Sequence, residues 1–209
     1  MKYRALTVAR EFGSGGAEMA RRLAAQLGWK LLDNALVLQI AQRARVDPAQ
    51  ARQYDERVDS WLYRVARGGL WSGAFEAVAE PAQAAVFDGE TMAALATQLV
   101  REAHEQGECV IVGRGGQCAL RAKEDVFHLF VYGPRAARME RLRTRAGAPE
   151  DLERWMQETD RMRAEYVRRN FGCDWANPHL YHLMLDSTLG EEAAVEAVLA
   201  SMRAAGEGR

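Results

Sequence analysis

The chain has 209 residues, of which 48% are hydrophobic and 27% are charged, a composition typical of one globular domain with a sizeable core. Its formal net charge of -1 excludes a strong overall attraction to nucleic acid or to an anionic membrane surface. The three cysteines lack CxxC spacing, which favours reduced thiols, and no apolar run approaches the length of a membrane span. We therefore expect a cytoplasmic protein with no nucleic-acid or membrane partner. These features do not determine the oligomeric state.

Five short apolar runs are typical of β-strands, and helical patterns separate most of them. The runs are residues 5–9, 30–32, 109–112, 126–131 and 183–185. This alternation predicts an α/β fold with a five-stranded parallel sheet flanked by helices on both faces. The chain is interpreted as a single domain whose core comprises residues 1–33, 107–140 and 166–209.

The most informative segment follows the first strand and reads Arg10-Glu-Phe-Gly-Ser-Gly-Gly-Ala-Glu18. A strand, a glycine-rich turn and a helix form the layout of a phosphate-binding loop, because the N–H groups and the dipole at such a helix start attract anions. The Lys and hydroxyl residue that usually end this loop are absent, since Gly16 and Glu18 stand in their places. The candidate phosphate-binding residues are Gly13, Ser14, Gly15, Gly16, Ala17 and Glu18.

A dinucleotide-binding loop is the alternative interpretation of the same turn. Gly13 and Gly15 match its first two glycines, and Asp33 ends the second strand about twenty residues further on, where a ribose-binding carboxylate would lie. Glu18, however, occupies the position of the third glycine, and no catalytic Tyr-x-x-x-Lys unit follows Asp33. The loop by itself leaves both interpretations open.

Two long helical segments interrupt the strand pattern. Residues 34–106 have an almost entirely helical pattern, with a helix start at Asp47-Pro48 and a last helix between Asp88 and Ala103. The second segment runs from Pro134 to Phe171, with a break at Gly147-Ala-Pro149. The sequence therefore predicts a small α/β core that carries two helical excursions.

Further candidate residues follow the third strand and fill the second helical segment. Arg114 lies in a glycine turn at the carboxyl end of a strand, where open α/β sheets bind their ligands. Arg138 and Arg141, like Asp160 and Arg163, are three residues apart and can share a helix face. Such charges often form solvated helix faces, but arginines on a helical lid also neutralise the transferring phosphoryl group in many kinases.

Together these motifs resemble the cytidylate kinase-like family, a branch of the P-loop nucleoside monophosphate kinases. The blocks that carry the resemblance occur in the right order along nearly the whole chain: Thr7–Gly16, Val110–Gly115, Asp160–Tyr166, Phe171–Trp175, Asn177-Pro178 and Tyr181–Ser187. The resemblance implies a P-loop NTPase-like core with a helical insertion at residues 34–106 that binds the nucleoside monophosphate. It also implies a helical lid at residues 141–165.

The resemblance further implies ATP and Mg²⁺ as cofactors and CMP, dCMP or a similar monophosphate as the acceptor substrate. Residue roles follow by motif position. Acceptor-binding residues are expected to be Asp33, Arg114 and Arg161, and catalytic residues to be Arg10, Arg138, Asp160 and Arg163. The metal is expected to be held through the phosphates, with Glu18 as the candidate protein ligand.

The missing loop lysine limits this functional expectation. Losing one well-placed charge typically slows a reaction about a hundredfold to a thousandfold, so Arg10 or a lid arginine would have to supply it. Two alternatives keep the fold: a catalytically weak or inactive nucleotide-binding regulatory protein, and a kinase of a small non-nucleotide substrate with Asp33 as its base.

Overall fold

The structure is a computed structural model that describes residues 2–33, 89–145 and 147–207. Its strands are β1 (Ala5–Arg10), β2 (Lys30–Leu32), β3 (Cys109–Val112), β4 (Val126–Tyr132) and β5 (Leu183–Asp186). All five predicted strands are therefore confirmed to within one residue at their ends. The predicted helices within residues 34–88, including the start at Asp47-Pro48, lie outside the described residues.

The described helices begin and end close to the sequence signals. They are α1 (Gly16–Leu27), α2 (Gly89–Gln106), α3 (Gly116–Ala119), α4 (Arg135–Arg143), α5 (Leu152–Phe171) and α6 (Glu191–Glu207). Helix α1 ends at Gly28, whose φ of 69° lies in the left-handed region that favours glycine. Helix α5 begins after Asp151, whose carboxylate accepts the Arg154 N–H at 2.9 Å. The predicted break at Gly147-Ala-Pro149 falls between α4 and α5.

The five strands form one parallel sheet in the order β2-β3-β1-β4-β5. Strand β1 is central and buried along its whole length, and it pairs with both β3 and β4 from Ala5 onward. Because all strands run in the same direction, their carboxyl ends lie at one edge of the sheet. The glycine-rich loop after β1, Asp33 after β2 and Arg114 after β3 therefore share that edge.

Alternate residues of the strands pack on opposite faces of the sheet. Leu6 and Val8 belong to a buried cluster with residues of α1 and α6, whereas Ala5 joins a second cluster with residues of α2. Burying one such Leu or Val side chain stabilises the fold by about 1.5–3 kcal/mol. Helix α2, the last part of the predicted insertion, thus packs on the sheet. The extents of the insertion and of the lid stay predictions.

No helix within the described residues is both long and apolar enough to cross a membrane.

A buried histidine predicts loss of stability in acid. His128 lies in β4, where its Nδ1 shares a 2.7 Å hydrogen bond with the Thr7 hydroxyl and its ring stacks on His182. Burial and the nearby His182 lower the pKa of His128 from 6.5 to about 4. The unfolded chain therefore binds a proton at a higher pH than the folded chain, so stability falls as the pH drops below 6.5.

We expect this histidine to cost about 2 kcal/mol of unfolding free energy at pH 5 relative to pH 8. Denaturant unfolding at both pH values measures the loss, which should shrink in His128→Gln and persist in a His179→Gln control, because His179 is exposed. An undiminished loss in His128→Gln would assign the acid sensitivity to other groups.

Candidate functional site

The loop between β1 and α1 is a tight turn that is held by packing and by a hydrogen bond on its buried side. Gly13 and Gly15 have φ values of 79° and 83°, a conformation that glycine adopts without strain. A Cβ on Gly13 would also lie 2.9 Å from the backbone oxygen of Arg138. The Oγ of fully buried Ser14 donates to the Glu11 carbonyl at 2.9 Å. Ser14 therefore stabilises the turn, and its hydroxyl is directed toward the protein.

The N-terminus of α1 opens on a cleft of about 420 Å³, a volume in the usual range for ligand pockets. Gly15 is the N-cap residue and offers no side chain to the first helix amides. Five arginines line this cleft, against two glutamates: Arg10, Arg21, Arg141, Arg145 and Arg163, with Glu11 and Glu18. The helix dipole and the excess positive charge together favour an anion such as a phosphate chain. We call this space the donor cleft.

A buried network joins α4 and α5 to the loop backbone. The Asp160 carboxylate accepts the Phe12 N–H at 2.7 Å and pairs with the Arg138 guanidinium. Arg138 also donates to the Phe12 carbonyl at 2.8 Å and lies 3.1 Å from the Glu11 carboxylate. Arg163 donates to the Arg10 carbonyl at 2.8 Å. Three of the predicted catalytic residues thus brace the loop.

The charge state of this network depends on Asp160. Burial raises the pKa of the Asp160 carboxyl above its usual range, and the adjacent Arg138 and Arg163 guanidinium groups oppose that shift. The side chain of Arg138 is only 9% exposed, so leaving it without its carboxylate partners would cost several kcal/mol.

Arg141 lines the donor cleft, and the sequence motifs indicated it as a candidate without assigning it a role. Its two terminal nitrogens donate to the hydroxyl and the carbonyl of Ser187, each at 3.0 Å. No carboxylate pairs with Arg141 within the described residues, so its charge is not neutralised by an ion pair. Its three-residue spacing from Arg138 was a usable signal, because α4 places both side chains toward the loop.

A second, smaller cleft adjoins the donor cleft at the ends of β1 and β3. Its lining includes Arg114, Gln117, Tyr166 and Trp175, and we call it the Arg114 cleft. Arg114 is a non-glycine residue with φ of 58°, a strained conformation that commonly marks functional positions. Arg10 and Arg163 line both clefts. The two spaces therefore meet at these arginines.

Asp33, Glu18 and Arg161 occupy different surroundings. Asp33 follows β2 at the same edge of the sheet but lines neither cleft. Glu18 lies at the donor cleft and pairs with Arg21, an exposed pair that contributes little stability. Arg161 is 71% exposed, lies 3.8 Å from Glu165 on its own helix and lines neither cleft. The structure therefore does not bring Arg161 to the site.

The sheet order, the glycine-rich loop after the central strand and the basic cleft at the next helix define a P-loop kinase fold. The chain belongs to the cytidylate kinase-like family, whose model matches residues 5–189. The family and the fold class indicated by the sequence motifs are both confirmed. The dinucleotide-binding interpretation is not supported. A comparison with curated proteins finds no match.

Solved structures with the same fold cover nearly the whole chain. An uncharacterized protein from Eubacterium ventriosum ATCC 27560 is 18% identical, with TM-score 0.66 over 94% of this chain and 96% of that one. A shikimate kinase from Bacteroides thetaiotaomicron is 13% identical, with TM-score 0.55 over 95% and 98%. A sugar kinase from Janibacter sp. HTCC2649 is 15% identical, with TM-score 0.52 over 96% and 95%. At these identities the likeness shows the fold alone.

Proposed function

We propose that this protein transfers the γ-phosphoryl group of ATP to CMP, dCMP or a similar nucleoside monophosphate. The observation that carries the proposal is the donor cleft, where a helix N-terminus without a side-chain cap is surrounded by arginines. Such a site suits the phosphate chain of a nucleoside triphosphate. Membership of the cytidylate kinase-like family supports the reaction and the acceptor class.

The donor cleft and the smaller Arg114 cleft meet at Arg10 and Arg163, an arrangement that suits donor phosphates in the first and an acceptor phosphate at the mouth of the second. Loop amides and Arg141 would hold the donor phosphates, while Arg114 would serve the acceptor, with Asp33 following the neighbouring strand β2 at the same sheet edge. The phosphoryl group would then move past Arg10 and Arg163, which line both spaces. The acceptor is itself a phosphate and already a nucleophile, so no general base is required. Catalysis would rest on positioning and charge stabilisation.

The site suits a magnesium ion that is held chiefly by the substrate. Within the described residues there is no group of three or more His, Cys, Asp or Glu side chains arranged to hold a metal. Glu11 and Asp160 are paired with the buried Arg138, whereas Glu18 at the donor cleft is paired with the exposed Arg21 and is the carboxylate that would be available to the metal. Mg²⁺ commonly takes one or two carboxylates together with phosphate oxygens and water, and it would neutralise charge on the phosphates.

A coupled assay for ADP formation tests the proposal. The protein at micromolar concentration, with ATP and Mg²⁺, should turn over in the presence of CMP, dCMP or UMP and not in their absence. Shikimate and simple sugars form a control panel for a hydroxyl acceptor. Turnover with shikimate or a sugar alone would refute the nucleotide acceptor and support a small-molecule kinase instead. No turnover with any acceptor would refute phosphoryl transfer.

A nucleotide-binding regulatory protein of the same fold is the second candidate. The observation that favours it is the position of Arg138, Asp160 and Arg163, whose polar groups are engaged with the loop backbone and with one another. Calorimetry showing ATP binding without any phosphoryl transfer would favour this candidate over the enzyme.

Arg141 provides a test of the donor cleft itself. The change Arg141→Met keeps the length of the side chain and removes its charge, so we expect ATP binding to weaken about 10- to 100-fold, the value of one charge-assisted hydrogen bond. Isothermal calorimetry with ATP measures the change. Arg143→Met is the matched control, because Arg143 is an exposed arginine of the same helix and pairs with Glu140. Equal loss in both variants would contradict a specific role for Arg141.

A further inference from the structure

The loop has no room for a side chain at the position where a lysine is usual. A Cβ built on Gly16 would lie 2.6 Å from the Cβ of Arg10 and 3.1 Å from its Cγ, and 3.2 Å from the Cβ of Val131. The first distance is shorter than any real contact between two such atoms, and Arg10 Cβ is fixed to the backbone of the central strand. With Arg10 present, position 16 must therefore be glycine, so the absence of the lysine follows from the packing.

The side chain of Arg10 occupies the vacated space and continues across the sheet edge. Its Nη1 lies 2.4 Å from the point where a Cβ on Gly113 would be, so the guanidinium lies against the end of β3. Gly113 also has φ of 75°, which favours glycine for a second reason. Arg10 is only 7% exposed and lines both the donor cleft and the Arg114 cleft. Two glycines thus form the channel in which this arginine lies.

We propose that Arg10 takes over the role of the loop lysine and contacts the phosphoryl group in transit. This inference rests on the proposed function and names the residue that supplies the missing charge. In the reaction, an acceptor phosphate oxygen forms a bond to the γ-phosphorus while the bond from that phosphorus to the β–γ bridging oxygen breaks. The bridging oxygen keeps the electron pair and leaves as ADP. Arg10 would stabilise the charge on the γ-phosphoryl oxygens.

The neighbouring arginines approach the loop from α4 and α5, whereas Arg10 approaches it from the central strand. Arg138 is held by Asp160, Glu11 and the Phe12 carbonyl. Arg163 donates to the carbonyl of Arg10, and Arg141 donates to the hydroxyl and the carbonyl of Ser187. Arg10 alone among them extends from the central strand along the path that a lysine at position 16 would begin. Arg10, Gly16 and Gly113 then form one set of coupled positions. The positive charge that a lysine at position 16 would supply comes instead from Arg10 on the preceding strand, and the two glycines leave room for its side chain.

These coupled positions are tested by removing the charge at position 10 and placing a lysine at position 16. The variants are Arg10→Met, Arg10→Lys, Arg10→Gly, Gly16→Lys and the double variant Arg10→Gly with Gly16→Lys. Two quantities are measured for each: kcat with Mg²⁺-ATP and the best acceptor, and the ratio of the dissociation constants for ADP and ATP. Thermal unfolding shows which variants fold, and Arg10→Met keeps the packing of the aliphatic stem.

We expect Arg10→Met to lower kcat about 100- to 1000-fold and to abolish any preference for ATP over ADP, with Arg10→Lys between it and the wild type. Gly16→Lys alone should be damaging because of the contact with Arg10. The double variant should recover at least tenfold over Arg10→Gly, because removing the Arg10 side chain opens the space for the lysine. Loss of the ATP preference and of kcat in a folded Arg10→Met, which keeps the aliphatic stem and removes only the charge, is the result that a merely structural role for Arg10 would not produce.

Two results would overturn the role of Arg10: a folded Arg10→Met with the kcat and the ATP preference of the wild type, or a folded double variant no better than Arg10→Gly. If Arg10→Met does not fold, Arg10→Lys and the double variant decide. Failure of the proposed function gives a different result, namely a wild type without turnover. In that case the ADP-to-ATP ratio still tests the contact, and a wild-type ratio near one refutes it.

Discussion

Replacing Asp160 with alanine is expected to lower the free energy of unfolding by about 3–5 kcal/mol, the usual cost of breaking a buried ion pair from one side. Asp160 is the acceptor for the Phe12 N–H and the partner of the Arg138 guanidinium, and its side chain is 19% exposed. Without it, a buried guanidinium loses a carboxylate and a loop amide loses its acceptor. The loop between β1 and α1 should lose its fixed geometry together with the stability.

Chemical denaturation of wild type and Asp160→Ala measures this effect. Glu165→Ala is the matched control on the same helix, because the Glu165 side chain is 54% exposed and pairs only weakly with Arg161. We expect that control to change stability by less than about 0.5 kcal/mol. Asp160→Asn should be the milder change, since an amide oxygen can still accept from Phe12. A loss below about 1 kcal/mol in Asp160→Ala would show that Arg138 finds other partners.

The fold was predictable because its signals are local. Each strand is a short apolar run, and most breaks carry a glycine or a proline, so runs such as residues 109–112 and 126–131 could be read directly from the sequence. The loop after β1 was predictable for the same reason, because a strand, a glycine turn and a helix are contiguous along the chain.

The contacts of the site were harder to predict from the sequence, because the residues that make them are far apart along the chain. Phe12 N–H and Asp160 are 148 residues apart, and the acceptor of a backbone amide leaves no mark on the sequence. Asp160 and Arg163 were recognised as a pair on one helix face, but only the structure shows that this face packs on the loop. Arg161, two residues before Arg163, lies on the exposed side of the same helix.

The missing lysine illustrates the difference between a pattern and a packed structure. In the sequence, Gly16 stands where a charged lysine is usual, and Arg10 is an arginine six positions earlier with no evident link to it. In the structure the two positions touch, because the helix start folds back over the end of β1. The residue that fits at one position therefore depends on the residue at the other, and a motif read along the sequence does not show this dependence.

Helix α5 packs against the turn after β3 at Gly115. A Cβ on Gly115 would lie 2.2 Å from the ring of Phe171, the last residue of α5. We expect Gly115→Ala to lower the unfolding free energy by about 2–5 kcal/mol, combining left-handed backbone strain of about 1–2 kcal/mol with overpacking of about 1–3 kcal/mol. Denaturant unfolding measures the loss, and binding of the acceptor should weaken because Arg114 precedes this residue.

Gly172 supplies the control for this prediction. It has the same φ of 65° as Gly115, but a Cβ there would meet no atom within 4 Å. Gly172→Ala should therefore show the backbone strain alone, about 1–2 kcal/mol, and should leave acceptor binding unchanged. Adding Phe171→Ala to Gly115→Ala removes the ring and should restore part of the acceptor affinity. If the two alanine variants lose equal stability, the contact between Phe171 and Gly115 does not couple α5 to the Arg114 cleft.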